Sequence, residues 1–183
     1  MSSKSKTKGS GFEREVAKFL SELYSEPFVR VPNSGAYIGK SNTHRKNFLD
    51  DNQVKSFKGD IIPPDSWTNF NAEAKNYADF PFHLVLSGEC KVLDGWLQQL
   101  MAVADDGDLN ILLMKISRKG RYIAVQAKNT WVTDQFLYYS SKTLGDWLII
   151  EFDQFFMHNK DLLKAYTSPR ANSTSNSTTD TQS

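Results

Sequence analysis

Residues 69–77 constrain the fold more than any other segment, because apolar and polar residues alternate along them up to Lys75. Phe70, Ala72 and Ala74 take one set of alternate positions, and Asn71, Glu73 and Lys75 take the other. A period of two is typical of a β-strand with one face in the core. The pattern therefore predicts a half-buried strand that carries a carboxylate and an amine, two residues apart, on the same face.

The remaining periodic segments predict a domain in which helices and strands are mixed. Apolar residues at helical spacing predict a helix over residues 11–24 and a second helix that begins near Asp94, a plausible N-cap. Short strands are predicted at 28–31, 59–62, 111–116, 122–125 and 147–152, and a short helix at 154–158. The order of helix, strands, helix and strands indicates an α/β or α+β fold.

The ends of the chain differ in composition from its centre. Residues 1–10 are basic and polar and are predicted to be a flexible N-terminus, and residues 36–58 an extended loop. The Ser/Thr/Asn-rich residues 167–183 have too few apolar side chains to fold and are predicted to be a disordered tail. One domain, residues 11–166, is expected between them, since 183 residues is close to the common domain size.

Charge and composition exclude several classes of protein. The single cysteine, Cys90, excludes an internal disulfide framework, and no apolar run is long enough to span a membrane. The first residues lack a secretory signal, so a cytoplasmic location is expected. The net charge is only +1, but residues 1–60 hold eleven basic and seven acidic residues. This basic half could attract a polyanion or could simply be a solvated surface.

Asp60 and Glu73 are candidate ligands for a divalent metal ion. If the turn between their strands centres between Ser66 and Trp67, the two residues are directly opposed, with Cβ atoms about 5 Å apart. Two carboxylates so close repel each other unless a cation lies between them, and Mg²⁺ prefers oxygen ligands. Lys75 beside them could orient a metal-bound water or neutralise a phosphate. An ordinary Glu73–Lys75 surface salt bridge is the alternative, and the acid-x-Lys triplet recurs as Glu89-Cys90-Lys91.

Glu13 also has two interpretations. Ser10 and Glu13 have the spacing of a capping box, in which the serine caps the helix and the glutamate bonds back to it. Glu13 also borders the apolar stripe that contains Ala17, Leu20 and Tyr24, so it could lean toward a site on the sheet.

Four segments, in the same order, resemble the archaeal-type Holliday-junction resolvases and the wider restriction-endonuclease-like PD-(D/E)XK nucleases. They are Gly9-Ser10-Gly11-Phe12-Glu13-Arg14-Glu15-Val16, Arg30-Val31-Pro32-Asn33-Ser34-Gly35, Gly59-Asp60-Ile61 and Glu73-Ala74-Lys75. The resemblance covers about residues 9–105 and implies a central mixed β-sheet flanked by helices. The chain departs from the pattern where Gly59 replaces the usual proline and where the loop of residues 36–58 is unusually long.

The resemblance also implies roles for particular residues. Glu13, Asp60, Glu73 and the backbone carbonyl of Ala74 would hold Mg²⁺, with Mn²⁺ as a substitute. Lys75 would activate water, Ser34 would lie near the scissile phosphate, and either Gln98 or Gln99 would match a family glutamine. If the long loop flanks the site, a basic set could contact DNA phosphates, although the basic residues of the loop could also simply be solvated: Arg30, Lys40, His44, Arg45 and Lys46.

The function predicted in this way is a Mg²⁺-dependent, structure-selective DNA endonuclease. The first hypothesis is a Holliday-junction resolvase of recombination and repair, which nicks two strands symmetrically as a homodimer on branched or double-stranded DNA. A restriction or repair nuclease of the same fold is one alternative. A DNA-binding module without catalysis and a structural interaction protein are two others.

Overall fold

The computed structural model describes residues 3–31 and 58–168, and the side chains of residues 11–31 and 58–168. The helices of this part are α1 Ser3–Tyr24, α2 Phe82–Leu86, α3 Lys91–Met101 and α4 Phe152–Thr167. The strands are β1 Val29–Arg30, β2 Ile61–Ile62, β3 Phe70–Tyr77, β4 Leu109–Ile116, β5 Gly120–Gln126, β6 Leu137–Ser141 and β7 Gly145–Glu151.

Five of these strands form the central sheet, in the order β3-β4-β5-β7-β6. The β3 and β4 strands are parallel, and the other three pairs are antiparallel. Helices cover both faces: α1 and α4 pack on one, and α2 and α3 on the other. The predicted fold, a mixed sheet flanked by helices, is confirmed.

The β3 strand is buried on both faces, so the prediction that it is half-buried is wrong. Its apolar positions Phe70, Ala72 and Ala74 join the core beneath α1 and α4. On the other face Asn71 is fully buried, and its side-chain amide donates to the carbonyl of Leu100 in α3 at 3.0 Å. Alternation of polarity was therefore a correct sign of a strand, but the polar face lies under a helix.

Several helix boundaries differ from the predicted ones. The first helix begins at Ser3 rather than near residue 11, so Ser10 lies inside it and the capping-box interpretation of Glu13 is wrong. The α3 helix begins at Lys91, and Asp94 lies in its first turn, where its carboxylate accepts a hydrogen bond from Ser141 at 2.8 Å. The predicted short helix at 154–158 is part of the longer α4.

Some predictions concern residues outside the described part. The loop predicted at 36–58 lies outside it except for Lys58, and so does the predicted tail from residue 169 onward. The proposed division into an N-terminal segment, one domain and a tail stays a prediction. None of the described helices has the length and apolar character needed to cross a membrane.

The segment that carries Asp60 does not form the predicted antiparallel pair with β3. Its strand, β2, pairs instead with β1, with Arg30 opposite Ile61. The segment nevertheless touches the outer edge of β3, because the backbone N–H of Asp60 donates to the carbonyl of Ala72 at 2.8 Å. The two motif segments therefore meet, but through isolated contacts rather than a hairpin.

Gly59 makes this contact possible. Its φ is +66°, in the left-handed region that glycine adopts without strain, and a Cβ there would lie 2.3 Å from the carbonyl oxygen of Ala72. A proline fixes φ near −65° and could not occupy the position. The departure from the proline of the PD-(D/E)XK pattern thus has a local geometric cause.

We expect Gly59→Ala to destabilise the protein by more than Gly88→Ala. Gly88 has a similar φ of +72° but nothing within 4 Å of an added Cβ, so its substitution tests backbone strain alone. That strain costs about 1–2 kcal/mol, and the clash with Ala72 adds to it at Gly59. Urea unfolding of both variants measures the difference, and equal losses would contradict the close approach.

Candidate active site

Asp60 is fixed to the free edge of β3. Its carboxylate oxygen Oδ2 accepts a hydrogen bond from the backbone N–H of Ala74 at 2.8 Å, and the residue is 4% exposed. In a strand, the N–H and C=O of one residue point toward the same side. The carbonyl of Ala74 therefore faces the same edge as Asp60, so that edge collects a carboxylate and a main-chain oxygen.

Glu73, Lys75 and Gln99 form a closed triangle of hydrogen bonds next to that edge. Lys75 Nζ donates to Glu73 Oε1 at 2.5 Å and to Gln99 Oε1 at 2.9 Å, and Gln99 Nε2 donates to Glu73 Oε1 at 2.6 Å. The β3 strand supplies the acid and the amine because residues two apart share a face. The glutamine comes from α3, the helix that covers this face.

The environment of Glu73 opposes its ionisation. Burial, followed by the negative charge of Asp60, raises the pKa of Glu73 to about 7, although Lys75 acts in the opposite direction. The charge of Glu13 makes a smaller contribution that also raises the pKa. The three predicted acids are thus electrostatically coupled, and the folded chain holds more negative charge here than Lys75 alone neutralises.

Glu13 lies at the border of this group and is paired with Arg30. The two side chains form a partly buried ion pair between α1 and β1, in which the Arg30 guanidinium donates to Glu13 Oε2. Glu13 is 9% exposed. The predicted site residue and the predicted DNA-contacting residue therefore hold each other, and Arg30 supplies the second cation of the cluster.

Lys58 anchors the chain just before Gly59 and Asp60. It is 8% exposed, and its ammonium group bonds Asp108 as well as Asp105, the latter at 3.0 Å. Both partners belong to the segment between α3 and β4. Because a buried lysine without a partner would be costly, these contacts fix the position of the segment that leads to Asp60. Sequence reasoning missed this role, since no local pattern relates residue 58 to residues 105–108.

The structure brings together five of the predicted site residues: Glu13, Arg30, Asp60, Glu73 and Lys75. Of the two glutamines, Gln99 contacts the group, whereas no such contact involves Gln98. Ser34, Lys40, His44, Arg45 and Lys46 lie outside the described residues. The second acid-x-Lys triplet lies at the start of α3, not on a strand, and its Glu89 is exposed.

The cluster offers a metal ion few side-chain donors but several oxygen atoms. Among the described residues, no three His, Cys, Asp or Glu side chains form a group that could hold a metal ion. Mg²⁺ does not need three, because it usually binds one or two carboxylates and keeps waters or substrate phosphates as its other ligands. The oxygen donors of Asp60, Glu73 and the Ala74 carbonyl fit such a cation in chemical type.

We expect Glu73→Gln to stabilise the protein at pH 8. The folded chain keeps the Glu73 proton up to about pH 7, whereas an unfolded chain loses it near pH 4.5, so stability falls as pH rises through this window and stays low above it. Removing the charge should raise the free energy of unfolding by about 1–3 kcal/mol at pH 8 and leave it unchanged near pH 4.

Urea unfolding of the metal-free protein at both pH values measures this difference. Glu89→Gln, which neutralises an exposed carboxylate outside the cluster, is the control and should change little at either pH. A loss of stability for Glu73→Gln at pH 8 would contradict the electrostatic conflict.

Comparison with known proteins agrees with the fold and with the motif. Residues 4–165 match the family described as "Phage putative PDDEXK endonuclease". Searches of curated proteins and of solved structures found no match. The matched family supports the predicted PD-(D/E)XK superfamily but is not the archaeal-type Holliday-junction resolvase family. Since the match covers most of the chain and includes all five clustered residues, the chain belongs to this phage-type PDDEXK endonuclease family.

Proposed function

We propose that this protein is a divalent-metal-dependent DNA endonuclease, with Mg²⁺ as the cofactor and Mn²⁺ as a substitute. The observation that supports it best is the cluster at the edge of β3, where Asp60, Glu73 and Lys75 meet although residue 60 is distant from the other two along the chain. Family membership supplies the chemistry class, hydrolysis of a phosphodiester.

Asp60, Glu73 and the Ala74 carbonyl would hold the metal, with Glu13 at the border of the set. When bound, the cation would polarise the phosphate and lower the pKa of a coordinated water. The pKa of Glu73 is raised by burial and then by the charge of Asp60, and the cation would offset the second of these effects. The fold already groups the carboxylates in the metal-free protein. The unfavourable free energy of bringing them together therefore lowers the stability of the fold and is not added when substrate binds.

Lys75 would act on the water or on the phosphate. An ammonium group has three hydrogen-bond donors, and Glu73 and Gln99 occupy two of them. The third donor can orient the attacking water or stabilise the negative charge that develops on the phosphate oxygens as the P–O bond breaks. Gln99 bonds both Lys75 and Glu73, so it would position the amine relative to the carboxylate.

A cleavage experiment compares the proposed site with the second acid-x-Lys triplet of the chain. Asp60→Asn, Glu73→Gln and Lys75→Met should each reduce Mg²⁺-dependent cleavage of DNA by about 100-fold or more, while DNA binding persists. Glu89→Gln, in the second acid-x-Lys triplet, is the matched control and should cleave normally. Chelation of divalent metal should abolish activity in the unmodified protein.

Normal cleavage by Glu73→Gln would overturn the site. DNA binding without any cleavage in the unmodified protein would favour the alternative of a non-catalytic DNA-binding module. If the protein binds no DNA at low salt, the interpretation as a structural interaction protein would be favoured.

The finer proposal is that the substrate is a branched DNA, the four-way junction of a Holliday-junction resolvase. It is supported by the resemblance of the α1 and β1 segments to that family, and by the Glu13–Arg30 ion pair that joins the two segments. Against it stands the match to a different family, which favours another nuclease of the same fold.

Cleavage of a four-way junction and of linear duplexes with the same arms decides between these substrates. Faster cleavage of the junction, with paired symmetric nicks, is the expected result. Equal rates on the two substrates would favour a restriction or repair type of enzyme.

Paired nicks require two sites, and we propose a homodimer that forms through β6. This strand is an outer strand of the five-stranded sheet, and the side chains of Phe136, just before it, and Tyr138, within it, are about half exposed. Antiparallel pairing of two copies centred on Tyr138 would place the two Tyr138 side chains opposite each other. Aromatic pairs across neighbouring strands favour such a register.

Sedimentation equilibrium tests the dimer. The unmodified chain should be dimeric at micromolar concentration, and Tyr138→Lys should shift it toward monomer by about tenfold or more in dissociation constant. Met157→Lys, at an exposed apolar position on α4, is the control and should leave the dimer intact. A monomeric unmodified chain would overturn this interface.

A further inference from the structure

The hairpin between β4 and β5 projects from the end of the sheet at which Lys75 lies. The β3 and β4 strands are parallel and end together, with Tyr77 aligned to Ile116. The N–H of Ser117, the first residue of the turn, donates to the carbonyl of Tyr77 at 2.9 Å, so the hairpin is attached to the end of β3. At about 3.3 Å per residue, the tip is roughly 10–15 Å from Lys75.

Basic residues are concentrated on this hairpin. It carries Lys115, Arg118, Lys119 and Arg121 within seven positions. Three acids face them. Glu15 bonds Lys115 and Arg121, Asp153 bonds Arg121, and Asp79 bonds Lys119. Lys115 and Arg121 are thus held against α1 and α4, whereas the tip residues lie further out.

The two residues at the tip are held least by other parts of the described chain. In the part of the chain that the structure describes, exposed Arg118 has no hydrogen bond or ion pair. The Lys119 ammonium bonds Asp79 at 2.6 Å, but the side chains are 49% and 77% exposed. A surface ion pair of this kind is worth about 0–1 kcal/mol, so a phosphate can replace the aspartate.

Arg118 also occupies a strained backbone position. Its φ is +62°, and among the described residues the only other non-glycine with positive φ is Ser25, directly after α1, where a left-handed residue is a common helix end. Glycine or asparagine would suit the turn at lower cost. Within the described part, no contact of the Arg118 side chain offsets that cost, which suggests that the side chain acts on something outside the chain.

We propose that Arg118 and Lys119 contact backbone phosphates of the DNA that enters the site. This inference rests on the proposed function and adds a second DNA-binding surface to the predicted one around Arg30. The spacing is suitable, because a DNA strand carries one charge per 3.4 Å of helix axis and the tip lies about three to four phosphates from Lys75. Contacts of this kind add affinity and orientation without selecting bases.

The test uses a fluorescent 30-base-pair duplex and the full chain in the presence of a metal chelator. Arg118→Gly combined with Lys119→Gln should weaken binding about tenfold at low salt and reduce the slope of log K against log salt by about 2. The control combines Lys128→Gln with Lys160→Gln. It removes the same charge from exposed positions distant from the hairpin, after the end of β5 and on α4, and should change binding by less than twofold.

Arg118→Gly alone separates a binding role from a structural one. Because glycine relieves the positive φ, its midpoint of thermal unfolding should stay the same or rise, while DNA affinity falls about threefold and the salt slope by about 1. In cleavage assays with Mg²⁺, KM should rise and kcat stay within twofold.

The other outcomes would contradict the proposed DNA contact of the hairpin. Unchanged binding by the double variant, or an equal loss in the control, would overturn its role while leaving the proposed nuclease intact. If the unmodified chain binds no DNA at low salt, both the proposed function and this inference fail.

Discussion

The hydrogen bond from the Ala74 N–H to the Asp60 carboxylate is the contact on which the candidate site depends. An outer strand of a sheet has unpaired backbone groups, and here the segment of residues 58–60 uses them: Asp60 donates to Ala72 and accepts from Ala74. The contact requires the close approach that Gly59 allows and the anchor that Lys58 makes with Asp108. A short segment with little secondary structure of its own is thereby held at the edge of β3.

This arrangement sets stability against function. Three carboxylates are gathered beside two cations, and burial, followed by the negative charge of Asp60, raises the pKa of Glu73. A core that served only stability would not bury these acids together. The repulsion is useful only if a cation arrives, which is why the electrostatics of the site support metal binding better than any single contact does. The same repulsion distinguishes the cluster from an ordinary surface salt bridge, which leaves no charge uncompensated.

Sequence reasoning predicted the elements and the site residues better than the path by which they meet. The period of two identified β3 and its Glu73–Lys75 face, because the pleat alone fixes which side chains share a side. The period did not show that α3 would bury that face. Gln99 comes from this helix, and the packing of the helix on the sheet depends on residues distant along the chain. Nor could it show that Asp60 would reach β3 without a hairpin, because the positive φ of Gly59 and the partners of Lys58 depend on distant residues. The departure of Gly59 from the family proline was the one local sign of this geometry.

Gly59 and Arg118 both have a positive φ, but they differ in how well the residue suits that conformation. At position 59 the backbone has a positive φ, which glycine adopts with the least strain. The absence of a side chain there also allows the close approach to Ala72. At position 118 φ is also positive, but an arginine adopts this conformation with strain. In the described chain its side chain has no hydrogen bond or ion pair. The first case is explained by the fold itself, through the approach to Ala72. The second is not explained by the described part of the fold, and the proposed contact with a DNA phosphate would give the side chain a partner beyond the end of β3, on the same DNA that would reach Lys75.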